Sequence, residues 1–437
     1  MSRPFRELTD RVGILRPLRI RDFRLLWTGM FVSMAGDGVY FVAIAWQVTT
    51  LSGRPSALAL VGLAWTLPQV VFSLLGGVMA DRFDRRRIMI AGDLLRLGAL
   101  ATIGALSISG RIELGHIYPL VAVYGVGQAI FQPSFTSIVP TIVPADVLVE
   151  ANSLGQFVRP ISLTVVGPAV GGLVIGLAGV GWAFAIDAGS FAFSALMILL
   201  MRARGVGERD AERSSMFDEL VDGIRYVRRH RWLLIAMFAA TISLLCTWGP
   251  WEALVPILIR QDLDGSAADL AAVFIAGGVG SVLAAILFGQ RSRLPRRPVV
   301  ILYGSWAFAM FMTAGFGVID SIWQGMIVAF LAESGITILV IVWLTLVQRL
   351  VPGHLLGRVM SLDWMISTAG VPISFAIVGP VAEAIGVRST LIWAGILGGL
   401  VTISFLFVPG ARDPERDGTL RAAERARMFA EPSTAAG

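Results

Sequence analysis

The sequence predicts an all-α membrane protein with twelve transmembrane helices arranged as two pseudo-symmetric bundles of six. Three observations predict this class: the composition, the number of long apolar segments, and a repeat between the two halves of the chain. The chain has 437 residues, of which 56% are hydrophobic and 15% charged, and its mean hydropathy is +0.75. Because soluble domains carry about 25% charged residues, this chain is too apolar to be one of them.

Twelve segments have the roughly 20 mostly apolar residues that a helix needs to cross a bilayer. The first six lie near residues 24–49, 57–80, 88–109, 116–139, 150–177 and 180–202, and the second six near 232–259, 267–290, 298–318, 321–348, 359–385 and 388–409. These spans divide the chain into an N-terminal arm (1–23), a first bundle (24–202), a central loop (203–231), a second bundle (232–409) and a tail (410–437). In the central loop, apolar residues at helical spacing beside several arginines predict an amphipathic helix at the membrane surface.

The distribution of arginine predicts the orientation of the chain in the membrane. All 36 basic residues are arginine, and 30 of them lie in the arm, the tail, the central loop and alternate short loops, whereas the opposite loops hold four. Since basic residues accumulate on the cytoplasmic side, both termini are predicted to be cytoplasmic. We expect a multi-pass protein of a bacterial-type cytoplasmic (inner) membrane. Because the arginines are spread over six segments, the net charge of +6 is a topology signal, and we expect no nucleic-acid partner.

The two halves of the chain resemble each other in sequence. Residues 142–154, before the fifth span, align with residues 350–362, before the eleventh, and Val-Gly-Pro at 166–168 matches Val-Gly-Pro at 378–380. Such repeats are typical of secondary transporters, in which the substrate binds between two related bundles.

A short charged turn separates the second and third spans. It reads Gly77-x-x-x-Asp81-Arg82-x-x-Arg85-Arg86 and resembles the signature turn of the major facilitator superfamily. The chain departs from that signature at Asp84, where the superfamily usually has glycine. With Gly36-Asp37-Gly38 in the first span, this variant is similar to the macrolide-efflux and enterobactin-exporter branch of drug:proton antiporters.

The resemblance covers roughly residues 20–410 and implies the major facilitator fold. It also implies that the turn formed by Gly77, Asp81, Arg82, Arg85 and Arg86 is a conformational latch. In one state its carboxylate would contact the start of the eleventh span and hold the cytoplasmic side closed.

The fifth span contains Gly167-Pro168-Ala-Val-Gly171-Gly172. This segment resembles a glycine-proline motif of drug:proton antiporters. The alternative is ordinary helix packing, since small residues let helix backbones approach closely and proline permits a bend.

Three ionisable residues in the middle of spans are candidates for proton coupling. A charge at the bilayer centre costs about 2.5–3.5 kcal/mol, and protonation removes that cost from a carboxylate. Asp37 in the first span and Glu333 in the tenth are therefore candidate proton carriers; Asp37 could instead be a structural carboxylate, and Glu333 could bind a cationic substrate. Arg159 in the fifth span is a candidate partner for Asp37 or Glu333, or for an anionic substrate group.

Other polar side chains in the spans receive different interpretations. Gln128, Gln132 and Glu252 are candidates for the substrate cavity. Asp93 and Arg96 are expected to form an intrahelical pair or to contact the signature turn. The resemblance places the sixth span at the periphery of its bundle, so Asp187 is expected to have a capping or packing role there. Asp363 is expected to stabilise the start of the eleventh helix. Five tryptophans are expected to be mainly structural: Trp46, Trp65, Trp248, Trp343 and Trp364.

We therefore predict a proton-coupled secondary transporter that exports amphipathic organic molecules such as drugs or siderophore-like compounds. We expect it to be a monomer. The alternatives are a lipid or lysophospholipid flippase, a solute importer on the same fold, or a membrane receptor that does not transport. An enzyme is not expected, because the chain has no lysine and only three widely spaced histidines. For the same reason we expect no metal site and no cofactor; protons, the small molecule and the bilayer are the expected partners.

Overall fold

The computed structural model describes residues 13–144, 147, 150–151, 154, 161–202, 216–289 and 295–416. All regular secondary structure in these residues is helical, and twelve of the helices are long and apolar enough to cross a membrane. We number them α1 to α12: Arg21–Leu51, Pro55–Arg82, Arg85–Ile108, Leu114–Ile142, Ile161–Ala178, Val180–Leu199, Arg231–Asp262, Ala267–Gly289, Pro298–Phe316, Ile322–Leu350, Gly353–Ile385 and Val387–Phe405. The predicted all-α membrane class is confirmed.

Several of these helices depart from regular α-helical geometry. The described part of α5 opens with a π-helical segment, Ile161–Val166, and α7 contains two more, Pro250–Leu254 and Leu258–Asp262. Proline has no backbone N–H to donate, so the regular ladder is interrupted where Pro250 sits. In α11, a turn at Ala369–Gly370 divides Gly353–Thr368 from Val371–Ile385. Such interruptions free backbone groups and often lie at functional sites.

A separate helix, Met216–Arg229, lies between the two halves of the chain. Its Gly223 approaches Arg358 and Leu362 of α11, and the hydroxyl of Tyr226 donates to the carbonyl of Leu350 at 3.1 Å. This linker helix is therefore docked on the C-terminal half, at the end of the molecule where α1 begins and α12 ends.

Among the described residues, one hydrophobic cluster joins the two halves. It combines residues from both, for example Val39 and Phe375, and lies at the end opposite the start of α1. At the arginine-rich end there are two clusters, one around Phe23 and Ile138 of the N-terminal half and one around Leu346 of the C-terminal half. The described residues are thus packed together at the end opposite the start of α1 and belong to separate cores at the arginine-rich end.

The repeat seen in the sequence reappears in these contacts between halves. The equivalent helices α5 and α11 each place a glycine, at different positions of the repeat, against the other half: Gly172 of α5 faces Ala268 and Ala271 of α8, and Gly379 of α11 faces Ser56 of α2. In both places the absence of a side chain lets the helices approach closely, as small residues do in membrane helices.

Polar contacts reinforce the closed end. The side chain of Gln261 donates to the carbonyl of Gly53 at 3.0 Å, and the hydroxyl of Ser56 donates to Glu383. The guanidinium carbon of Arg260 lies 4.3 Å from the ring centre of Trp46, within the range of a cation–π interaction. Each contact links one half of the chain to the other.

Candidate functional site

A cluster of ionisable and hydroxyl side chains is buried inside the N-terminal half. We call it the N-half cluster; it consists of Asp37, Tyr40, Asp93, Arg96, Tyr124 and Asp187. Glycine makes room for it, because a Cβ at Gly36 would collide with the Asp187 carboxylate and the Ser190 side chain. Four helices, α1, α3, α4 and α6, contribute its members.

Asp37 lies at the edge of this cluster and is half-buried. The hydroxyl of Tyr124 donates a hydrogen bond to its carboxylate, and the ring of Tyr40 stacks on that of Tyr124 with 4.7 Å between centroids. Asp37 and Asp187 are close enough to interact electrostatically, and they repel each other when both are charged. A proton on either one removes this repulsion, which is large where little water screens it.

Arg96 is buried, and its charge is matched by several groups. It forms an ion pair with Asp93 one turn earlier on α3, so the intrahelical alternative among our expectations for these residues is the observed one. It also donates to the side-chain oxygen of Gln128 at 2.8 Å. Its guanidinium carbon lies 4.5 and 4.2 Å from the ring centres of Phe131 and Phe191.

Asp187 was expected to pack at the periphery, yet it lies in this cluster and is fully buried. One carboxylate oxygen accepts a hydrogen bond from Ser190 at 2.9 Å, and the other has no hydrogen-bond partner among the described residues. Buried polar atoms are rarely left unpaired. Asp187 is therefore a functional candidate that the sequence did not reveal. The one related signal in the sequence is Gly36, because only a residue without a side chain leaves room for the Asp187 carboxylate.

A cavity of about 260 Å³ opens between the two halves beside Asp37. Residues of α1, α2, α4, α5, α7 and α11 line this central cavity. Its polar lining includes Gln69, Gln128 and Gln132 together with Asp37. The structure thus brings together the two glutamines and the aspartate that the sequence singled out separately. Trp65, Trp248 and Trp364 supply aromatic surface.

A second cavity, of about 390 Å³, lies within the C-terminal half. This C-half cavity is lined by the carboxylates Glu252, Glu333 and Asp363. Four tryptophans also line it: Trp248, Trp251, Trp306 and Trp343. Asp37 and Glu333 consequently face different cavities, and Trp248 is a wall of both.

The three carboxylates of the C-half cavity have different surroundings. Asp363 accepts hydrogen bonds from the indole N–H of Trp343 at 3.0 Å and from Ser367 at 3.1 Å. Glu333 packs against Gly277 of α8, where a Cβ would lie 2.9 Å from its Cγ. Glu252 lies in the π-helical segment of α7 and is close enough to Glu333 for the two charges to repel.

Two expectations are corrected by this geometry. Asp363 was expected at the start of its helix, but α11 begins at Gly353, so Asp363 lies in its third turn and faces the cavity. Of the five tryptophans expected to be mainly structural, Trp65, Trp248, Trp343 and Trp364 line cavities. Tryptophan is common at membrane interfaces, and that preference alone did not reveal these cavity positions.

The glycine-proline motif of α5 packs tightly against α1. A Cβ at Gly167 would meet the backbone of Ala35 and Gly38, and a Cβ at Gly171 would lie 3.1 Å from the Cα of Val39. Pro168 approaches Gly38 from the same side. The motif therefore sits against the helix that carries Asp37 as well as against α8.

The signature turn is anchored to the N-terminal half. Asp84 caps α3 by accepting a hydrogen bond from the backbone N–H of Arg86 at 2.9 Å. Arg86 donates to the carbonyl oxygens of Ile198 and Leu199 at the end of α6, and Arg85 donates to that of Ser137 in α4. The structure describes neither the side chains of Asp81 and Arg82 nor the surroundings of Gly77, and Arg159 lies outside the described residues altogether. The predicted roles of these residues therefore stay predictions.

Comparison with known proteins agrees with this architecture. The sequence profile of the family described as transmembrane secretion effector matches residues 12–430. Macrolide efflux protein A of Streptococcus pyogenes is 23% identical over 378 residues, which cover 86% of this chain and 93% of that protein. Multidrug efflux pump Tap of Mycolicibacterium fortuitum is 25% identical over 419 residues, covering 91% and 97%.

A solved structure shares the fold. The crystal structure of a bacterial homologue of the human lysosomal transporter Spinster, in an inward-facing and unoccupied conformation, matches with a TM-score of 0.66 and 13% identity, covering 100% of both chains. At this identity the likeness concerns the fold alone. The profile match spans nearly the whole chain, and it agrees with the two six-helix halves and the charged turn between α2 and α3. The chain therefore belongs to the transmembrane secretion effector family of the major facilitator superfamily.

Proposed function

We propose that this chain is a proton-coupled secondary transporter that works by alternating access and exports amphipathic organic compounds, such as drugs or siderophore-like molecules. The relatives named macrolide efflux protein A and multidrug efflux pump Tap, which it resembles over most of its length, support drug efflux. The arginine distribution supports placement in a bacterial-type cytoplasmic membrane with both termini in the cytoplasm.

The position of Asp37 is the observation that carries the proton-coupling proposal. Asp37 lines the cavity between the halves, is hydrogen-bonded by Tyr124 and interacts electrostatically with the buried Asp187. A proton that binds Asp37 changes the energy of a cluster built from four helices. If the two conformations hold that cluster differently, protonation shifts the equilibrium between them.

With the arginine-rich end in the cytoplasm, the end packed around Val39 and Phe375 faces outward, so the conformation is an inward-facing one. In the opposite conformation Asp81 would contact the start of α11 as a latch. Arg85 and Arg86, bonded to α4 and α6, would hold the turn in position for that contact. Arg159 is proposed from the sequence as a partner of Asp37 or Glu333.

Proteoliposomes with an acidic lumen test the coupling. Protons leaving the lumen would drive a fluorescent amphipathic dye inward, and Asp37→Asn is expected to reduce this accumulation to the level of protein-free vesicles. Exchange of the dye across the membrane without a pH gradient is expected to continue, because the cavity remains. Asp320→Asn, the same change on an exposed loop residue, is the matched control and is expected to accumulate dye normally.

Gradient-driven accumulation that is equal in Asp37→Asn and in the wild type would exclude Asp37 as the coupling residue. A wild-type protein that neither accumulates nor exchanges any dye in a broad panel would contradict the export proposal itself. For the latch, Asp81→Asn is expected to change the transport rate without lowering the amount of protein in the membrane.

A further inference from the structure

We propose that the C-half cavity is a binding site for an aromatic organic cation, distinct from the central cavity beside Asp37. This inference rests on the proposed transport function and deepens it, because it names a ligand class and a site. It is carried by three properties of the cavity: its size, the charge of its lining and the orientation of its tryptophans.

The volume of the cavity suits a small organic molecule. Ligand sites in proteins span about 300–1,000 Å³, and at about 390 Å³ this cavity lies near the lower limit. Most of its walls are apolar side chains of α7, α9 and α10, with a few polar groups placed among them. That combination is typical of sites that take up a mostly apolar ligand and fix it by one charged or polar contact.

The charges in the lining favour a cation. Three carboxylates line the cavity, and none of the described residues that line it is basic. The Asp363 carboxylate is already bonded by Trp343 and Ser367, whereas Glu252 and Glu333 line the same cavity from α7 and α10. Two carboxylates that line one cavity repel each other when both are charged, and a positive charge between them would replace that repulsion by two attractions.

The tryptophans give this site an aromatic surface that is already ordered. Each of three indoles is supported by another ring: Trp251 meets Phe316 edge-on at 5.2 Å, Trp306 stacks on Tyr303 at 6.4 Å, and Trp343 meets Trp232 edge-on at 5.9 Å. Tryptophan is the best partner for cation–π attraction. Rings held in place by neighbours lose little further freedom on binding, which raises affinity.

The central cavity offers a contrasting lining. Its polar groups are mainly the amides of Gln69, Gln128 and Gln132, with Asp37 as its one carboxylate among the described residues. Arg96, which donates to Gln128 at its edge, is already paired with Asp93, so the central cavity offers a cation fewer carboxylates than the C-half cavity does. A cation is therefore expected to prefer the C-half cavity.

Equilibrium dialysis of the detergent-solubilised full chain tests the site without any proton gradient. The probes are tetraphenylphosphonium and tetraphenylborate, which have nearly the same size and shape and opposite charge. The cation is expected to bind at least about tenfold more tightly than the anion, which corresponds to about 1.4 kcal/mol. Glu252→Gln and Glu333→Gln are each expected to weaken cation binding by about tenfold or more, and Asp320→Asn to leave it unchanged.

A second variant keeps the test valid if neutralising a glutamate disturbs folding, which size-exclusion and melting profiles would reveal. Ala240→Phe fills the cavity from α7 and keeps every charge; it is expected to abolish binding of the cation. Equal binding of the two ions, no binding of the cation, or unchanged binding in the Glu252→Gln, Glu333→Gln and Ala240→Phe variants would overturn the inference.

The outcome is separable from that of the transport assay. Charge-selective binding in a protein that moves no dye would support this site and contradict the proposed function. Gradient-driven dye transport in a protein that does not bind the cation would support the function and overturn this site.

Discussion

The hydroxyl of Tyr124 donates a hydrogen bond to the carboxylate of Asp37 and so joins α4 to α1 beside the central cavity. A hydrogen bond to a charged group contributes about 1.5–3 kcal/mol, more than a typical neutral one. The bond also fixes the direction of the Asp37 side chain. The proposed proton site is therefore built by two helices rather than by one residue.

Tyr124→Phe removes this bond and keeps the ring that stacks on Tyr40. We expect gradient-driven dye accumulation to slow severalfold and the melting temperature in detergent to fall. Tyr118→Phe on the same helix is the matched control, since Tyr118 packs against the core and makes no side-chain hydrogen bond within the described residues. Equal effects of the two substitutions would show that the bond to Asp37 has no specific role.

Arg96 and Asp93 are expected to depend on each other. Removing one partner of a buried ion pair costs about 3–5 kcal/mol, because a charge is left uncompensated. Arg96→Gln should therefore lower the melting temperature strongly, and the Arg96→Gln, Asp93→Asn double variant should recover part of the loss. A double variant with the sum of the two single losses would mean that the pair is not coupled.

The close approach of α5 to α1 predicts a strong effect of a single methyl group. Gly167→Ala places a Cβ against the backbone of Ala35 and Gly38, and such overpacking costs about 1–3 kcal/mol. Gly176→Ala lies on the same helix with open space around it, so its stability should be unchanged or rise by up to about 1 kcal/mol. Thermal melting of both variants in detergent measures the difference, and similar losses in both would contradict the packing argument.

The contacts at the closed end are expected to bias the conformational equilibrium. Gln261→Ala with Glu383→Ala removes two of them, and exposed polar contacts contribute about 0–1 kcal/mol each. The measurement uses spin labels at positions 54 and 320, on loops of different halves, in a variant whose own cysteine is removed by Cys246→Ser. The double substitution should increase the population in which the two labels are far apart. Arg111→Ala, exposed at the same end, serves as the control. An unchanged distance distribution would show that the apolar core alone keeps this end closed.

Much of the fold could be predicted from the sequence because its signals are local. Twelve apolar segments, the excess of arginine on alternate loops and the repeated Val-Gly-Pro each depend on composition or short patterns. The charged turn identified the superfamily for the same reason. Even Asp93 and Arg96 pair within one helix, where spacing alone brings them together.

The site could be predicted only in part because it depends on how helices are rotated against one another. Helices such as α7 and α9 are apolar on all sides, so periodicity does not tell which face meets a cavity. That is why Trp343 was expected to be mainly structural and Trp306 was not a candidate. Asp187 was assigned to the periphery because the family resemblance places its helix there, whereas its side chain is buried in the N-half cluster. The contact between Tyr124 and Asp37 joins residues 87 positions apart, and no single-sequence pattern indicates it.

Trp248 lines both cavities, and this shared wall has a consequence for cargo size. A rotation of this indole about its side-chain bonds would change the shape of both cavities at once. A molecule bound in one cavity can thus alter the space that is open in the other through a single side chain.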